Sequence, residues 1–138
     1  IALISYRGCA AYNATQQELS NPLEASFDRR AHSYQQYQGE KLRRRFNALS
    51  YYRLSEAVDS HNIARGRGTI AEALSRIKAR TLVVAISSDI LFPVEAHTPL
   101  REHIADVEYH LIESEFGHDG FLVEHEKLNT IIQKFINR

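Results

Sequence analysis

Methionine is absent from this 138-residue chain, which opens on Ile1. A chain of this length ordinarily carries several, so the expectation is a C-terminal piece of something longer. Cysteine is nearly absent too. Cys9 stands alone, which excludes a disulfide within the chain and points to a reducing, cytoplasmic compartment. The strongest apolar run, residues 81–86 with its flanks, is far too short to cross a bilayer, and the short apolar start shows no basic n-region, so no signal peptide is expected in it. Net charge is also missing. The 17 Lys and Arg residues balance 17 Asp and Glu, which removes any sequence-wide pull toward nucleic acid or an anionic membrane. Neither is expected as a partner. Finally, no Gly-x-Ser-x-Gly turn occurs anywhere, so a serine nucleophile of the elbow type is lacking.

What remains is ordinary globular material: 43% hydrophobic and 25% charged, enough for one domain with a single core. Residues 1–6 read as a strand or as the last turns of a helix. Residues 8–22, with Asn13 and the Asn21-Pro22 pair, read as a loop. Over residues 27–62 no proline occurs and apolar residues recur at helical spacing (Tyr34, Tyr37, Leu42, Phe46, Leu49, Tyr52), which predicts two or three helices broken at Gly39 and near Asn47. Arg65-Gly66-Arg67-Gly68 is a turn. Thr69 and Glu72 have the spacing of a capping box and should open a helix containing Ala73, Leu74 and Ile77.

Residues 81–86 form a continuous β-rich run of the kind buried on both faces of a parallel sheet. A helix is expected over 93–105, delayed or kinked by Pro99. A second strand follows at 107–113, then a closing amphipathic helix at 121–136. Strands joined by a crossover helix run parallel. Asp89 and the His118 loop then both lie just past the carboxyl ends of neighbouring strands, where open α/β sheets place their ligands.

That placement lifts two otherwise bland residues. Asp89 alone reads as a helix cap, and His118 alone reads as a surface turn histidine between glycines. Together they offer the acid and base of a nucleophilic triad, with the carboxylate holding one ring nitrogen and leaving the other free to take a proton. Cys9 is the sole thiol, but Arg7-Gly8-Cys9-Ala10-Ala11 has no elbow character, and the expectation is a structural, buried cysteine. His97, His103, His110, His118 and His125 form no short helical pairs and read as scattered surface histidines, so no metal site is expected. Arg43-Arg44-Arg45 reads as a solvated helix face.

Several blocks carry a family resemblance: Ile4-Ser5-Tyr6-Arg7, Ser33-Tyr34-Gln35-Gln36-Tyr37-Gln38-Gly39-Glu40-Lys41 with Arg45-Phe46-Asn47-Ala48 and Ser50-Tyr51, Ala64-Arg65-Gly66-Arg67-Gly68, Ile86-Ser87-Ser88-Asp89-Ile90-Leu91-Phe92-Pro93 and Gly117-His118-Asp119-Gly120-Phe121-Leu122. In this order the chain resembles the C-terminal half of the homoserine O-acetyltransferases. The resemblance implies an α/β fold: the C-terminal part of an α/β-hydrolase, parallel strands with crossover helices, preceded by a helical cap. Residues 1–26 would be the end of a core helix and a loop, 27–76 the cap region, and 77–138 the C-terminal core segment.

It also implies an acetyl transfer from acetyl-CoA, as co-substrate with no tightly bound cofactor, to the hydroxyl of homoserine in methionine biosynthesis. Asp89 and His118 would be the triad acid and base, Asp119 would meet the substrate amino group, and Tyr6 would line the pocket. The serine and a substrate-binding arginine would lie in a missing N-terminal half, and the cap would contribute to a homodimer. Two other readings stand beside this one. The first is a related O-acyltransferase using succinyl-CoA or serine. The second is a truncated hydrolase-like interaction module without catalysis.

Overall fold

The computed structural model describes residues 4–17 and 30–138. The described residues contain seven α-helices, which are α1 (Cys9–Gln16), α2 (Arg30–Arg45), α3 (Ala48–Asp59), α4 (Ile70–Ser75), α5 (Thr98–His103), α6 (Gly120–Val123) and α7 (His125–Ile136), and two strands, β1 (Thr81–Ile86) and β2 (Val107–Ile112). They fall into two compact units, Ile1–Tyr12 with Ile63–Arg138, and Asn13–Asn62.

In the first unit β1 and β2 pair in parallel, from Thr81 opposite Val107 to Ile86 opposite Ile112. The crossover runs through a 3-10 turn at Val94–His97 and then α5, with Pro99 in its first turn. Proline there removes only an amide that has no partner inside the helix, so it delays the start and leaves α5 unkinked.

Side chains alternate along the strands, which sorts the packing. Val83 and Ala85 share a face with Tyr109, and Arg101 of α5 stacks 4.3 Å over the Tyr109 ring. The opposite face carries Ile86, Glu108 and Ile112. There Arg138 reaches Glu108 at 2.7 Å, and Arg80 stacks 4.1 Å over Phe135 of α7 while donating to the Phe135 carbonyl. Helices thus cover both faces. The core is Ala11, Ala73, Leu74, Val83, Ala85, Ile86, Ile104 and Ile112, with Leu74 the largest fully buried side chain. Leu74 is delivered by α4, whose N-terminus has the expected capping box: Thr69 Oγ1 accepts from the Glu72 amide and Glu72 accepts from the Thr69 amide.

In the second unit Asn47 caps α3, its side chain accepting from the Ser50 amide at 2.8 Å, so the expected break near Asn47 is present. The break expected at Gly39 is not. α2 runs through it, because a single glycine costs only about 1 kcal/mol and Glu40 pairs along the helix with Arg43 and Arg44.

Two further expectations are corrected. Residues 9–16 are helical, not loop, since Ala10, Ala11, Ala14 and Gln16 favour helix and neither glycine nor proline intervenes. Residues 4–6 form a turn, closed by the Arg7 amide on the Ile4 carbonyl, in place of a strand or helix end. The closing helix is divided at Glu124 into α6 and α7. The Asn21-Pro22 turn and Phe27 lie outside the described residues.

Candidate active site

Three polar residues, Ser87, Ser88 and Asp89, follow directly on β1, and each bonds across to the loop that follows β2. Ser87 Oγ accepts from the Ser114 amide at 3.1 Å, and Ser88 Oγ accepts from the Gly117 amide at 2.9 Å. Asp89 Oδ2 lies 2.8 Å from His118 Nδ1. The other Asp89 oxygen, Oδ1, accepts from the amides of Leu91 and Phe92 at 2.8 and 3.0 Å. One Asp89 oxygen thus caps the turn that follows β1, and the other meets the imidazole.

Asp89 is buried at 8% exposure, whereas the His118 side chain is 26% exposed. Burial alone would raise the Asp89 pKa. The bonds from His118 and from the Phe92 and Leu91 amides outweigh that and hold it below the usual carboxylate value. An ionised carboxylate can only accept, so the proton in the pair belongs to His118 Nδ1; in the neutral ring the opposite nitrogen, Nε2, is an acceptor.

His118 sits in a 3-10 turn, Gly117–Asp119, whose entry requires glycine. Gly117 has φ 66°, and a Cβ there would stand 2.5 Å from the Gly8 nitrogen. The imidazole is ringed by Tyr6, Phe92 and Phe121, with ring centroids at 5.7, 5.4 and 5.4 Å. The Asp119 amide donates to the Tyr6 carbonyl at 2.8 Å. All four residues singled out from the sequence, Tyr6, Asp89, His118 and Asp119, thus gather at one end of the sheet. Ser87, Ser88, Phe92 and Phe121 were not singled out. Three polar residues in a row at a strand end were the only available signal for the serines.

The remaining candidates fall elsewhere. Cys9 is exposed at the first position of α1, which corrects the expectation of a buried cysteine. Arg43 and Arg44 are engaged with Glu40 on an exposed helix face, and Arg45 lies 5.6 Å over Phe46. His110 meets Glu108 at 2.8 Å, and His125 Nδ1 meets the Val123 carbonyl. Among the described residues no three His, Cys, Asp or Glu side chains cluster as a metal site, and no helix is long and apolar enough to cross a membrane.

A parallel sheet with helices on both faces, and with an aspartate–histidine pair just past its strand ends, is part of an α/β-hydrolase fold. Over 99% of its length the chain superposes on 42% of MGS-M2, an alpha/beta hydrolase enzyme from a Medee basin deep-sea metagenome library, with TM-score 0.65 at 16% identity.

The sequence narrows this further: the chain is a homologue of part of the homoserine O-acetyltransferases. It is 42% identical to the homoserine O-acetyltransferase of Cyclobacterium marinum over 98% of its own length and 38% of the relative's. The corresponding figures are 37%, 98% and 35% for the protein of that name from Chloroherpeton thalassium, and 38%, 99% and 37% for that from Thermobifida fusca. The chain therefore spans little more than a third of the length of these curated relatives. No family model matches it.

Proposed function

We propose that this chain is the acid- and base-bearing part of an O-acyltransferase that moves an acetyl group from acetyl-CoA to the hydroxyl of homoserine. The observation that carries the reading is the 2.8 Å contact between a buried, ionised Asp89 and His118 Nδ1, which leaves Nε2 free on a partly exposed ring.

In the reaction, His118 Nε2 takes the proton of a serine supplied by a segment outside this chain. The serine oxygen attacks the thioester carbonyl, and the coenzyme thiolate leaves with that proton. His118 then deprotonates the homoserine hydroxyl, which attacks the acyl-serine, and the proton returns to the serine. Asp89 stabilises the imidazolium at both stages. Asp119, beside the base, carries a carboxylate suited to the substrate amino group, and Tyr6 walls the pocket. Transfer over hydrolysis requires that water be kept from the acyl-serine.

A second copy of the chain is the proposed partner. Neither α2 nor α3 buries any residue, and a cavity of about 460 Å³ between them is lined by Leu42, Phe46, Ala48 and Tyr51. Such a face calls for cover.

The test is a chimera in which this chain replaces its counterpart in the Cyclobacterium marinum relative. It should acetylate homoserine from acetyl-CoA and lose that activity with His118→Ala, while the 138-residue chain alone turns over no acetyl-CoA. A folded chimera that binds both substrates and transfers nothing would refute the reading, as would turnover by the chain alone that Cys9→Ala abolishes. Succinyl-CoA and serine, offered in the same assay, report on the neighbouring specificities.

A further inference from the structure

The amides of the two residues on either side of His118 are each held by a different segment. The Gly117 amide, on one side, donates to the Ser88 hydroxyl at 2.9 Å, and the Asp119 amide, on the other, donates to the Tyr6 carbonyl at 2.8 Å. Ser88 immediately precedes Asp89, so the anchor for the backbone and the anchor for the imidazole leave the end of β1 side by side. The Asp89 contact fixes one ring nitrogen but not the Cα from which the ring hangs. That Cα follows a glycine in the left-handed region, φ 66°, whose peptide has wide freedom unless something grips it.

We propose that Ser88 is a positioning residue for His118, acting through the Gly117 peptide to keep the imidazole seated on Asp89. This rests on reading Asp89 and His118 as the acid–base pair. Ser87 supplies the internal control. Its hydroxyl makes a comparable link across the same two loops, but to Ser114, away from the residues that flank the histidine.

The experiment is nitrogen-15 NMR at about pH 8, above the ordinary imidazole range, on the chain as part of the chimera described above. In the unsubstituted chain His118 should be a single tautomer with Nδ1 protonated and slow to exchange with water. Ser88→Ala should accelerate exchange of that proton about tenfold, the factor expected for one lost hydrogen bond. Ser88→Thr, which keeps the hydroxyl, should restore the slow rate, and Ser87→Ala should leave it within about twofold of the original.

An unchanged rate in Ser88→Ala overturns the proposal. So does an equal acceleration in Ser87→Ala, which would signify general loosening of the loops. Where Ser88→Ala fails to fold, the unsubstituted chain decides: a protected Gly117 amide supports the grip, and a freely exchanging one refutes it. Failure of the chimera to transfer acetyl groups would sink the functional reading and leave these spectra unaffected, so the two failures are distinguishable.

Discussion

Asp89 serves two masters at once, and its charge state couples them. With its pKa depressed in the folded chain, the unfolded state binds more protons between the folded and unfolded values, so stability rises with pH across that window. The contribution is complete above the unfolded carboxylate value of about 3.9 and is lost as pH falls through the folded one. The urea midpoint of the chain should therefore drop on acidification below about pH 4, and Asp89→Asn should flatten that fall relative to wild type. Other depressed carboxylates such as Glu72 and Glu124 remain in both proteins, so the difference isolates Asp89.

In the chimera the same substitution should lower kcat by about 10³–10⁴-fold, since an asparagine amide can hold the wrong imidazole tautomer. An equal acid sensitivity in the two proteins, or near-normal kcat, would contradict the assignment. At this scale Asp89 and His118 were legible because both are chemically distinctive and both follow a strand. The grip of Ser88 and of the Tyr6 carbonyl was not. Backbone acceptors leave no trace in a sequence, and a serine beside an aspartate reads as loop.

Among the elements, the legible ones were those whose boundaries carry their own chemistry. Thr69 with Glu72 announces α4, Asn47 announces α3, and the uninterrupted 81–86 run announces β1. α1 lacked any such mark. Its alanines had to compete with the asparagines around them, and the loop reading followed from the latter. Gly39 misled in the opposite direction, as a helix breaker with nothing to break for: a Cβ there would meet no atom within 4 Å.

Gly39→Ala should accordingly stabilise the chain by about 0.5–1 kcal/mol, seen as a higher urea midpoint. Thr69→Ala should cost about 1 kcal/mol by removing the cap from the helix that delivers Leu74 to the core. Gly120→Ala should cost more than Thr69→Ala, because its Cβ would press 2.7 Å from Ile86 Cγ2 in the packed interior. A Gly39→Ala protein less stable than wild type would show that α2 does not run through that position.

At the scale of the molecule, the sheet is unfinished among the described residues. β1 pairs with β2 along one edge, and its burial pattern, with Val83, Ala85 and Ile86 inside, is that of a central strand. An apolar strand with a row of unpaired backbone groups recruits another chain. Near the site, Ile90, Phe92 and Leu122 are also largely exposed. Since the relatives are nearly three times longer, their remaining portion has the length to complete the sheet. The 138-residue chain alone should therefore sediment as a mixture of associated species. Adding the preceding portion of the Cyclobacterium marinum relative should convert it to a defined complex in which the β1 amides exchange slowly. Any association that survives this addition should be carried by α2 and α3, and should be abolished by Leu42→Glu with Tyr51→Glu. A chain that stays monomeric at every concentration, with all β1 amides already protected, would mean that no second polypeptide is called for.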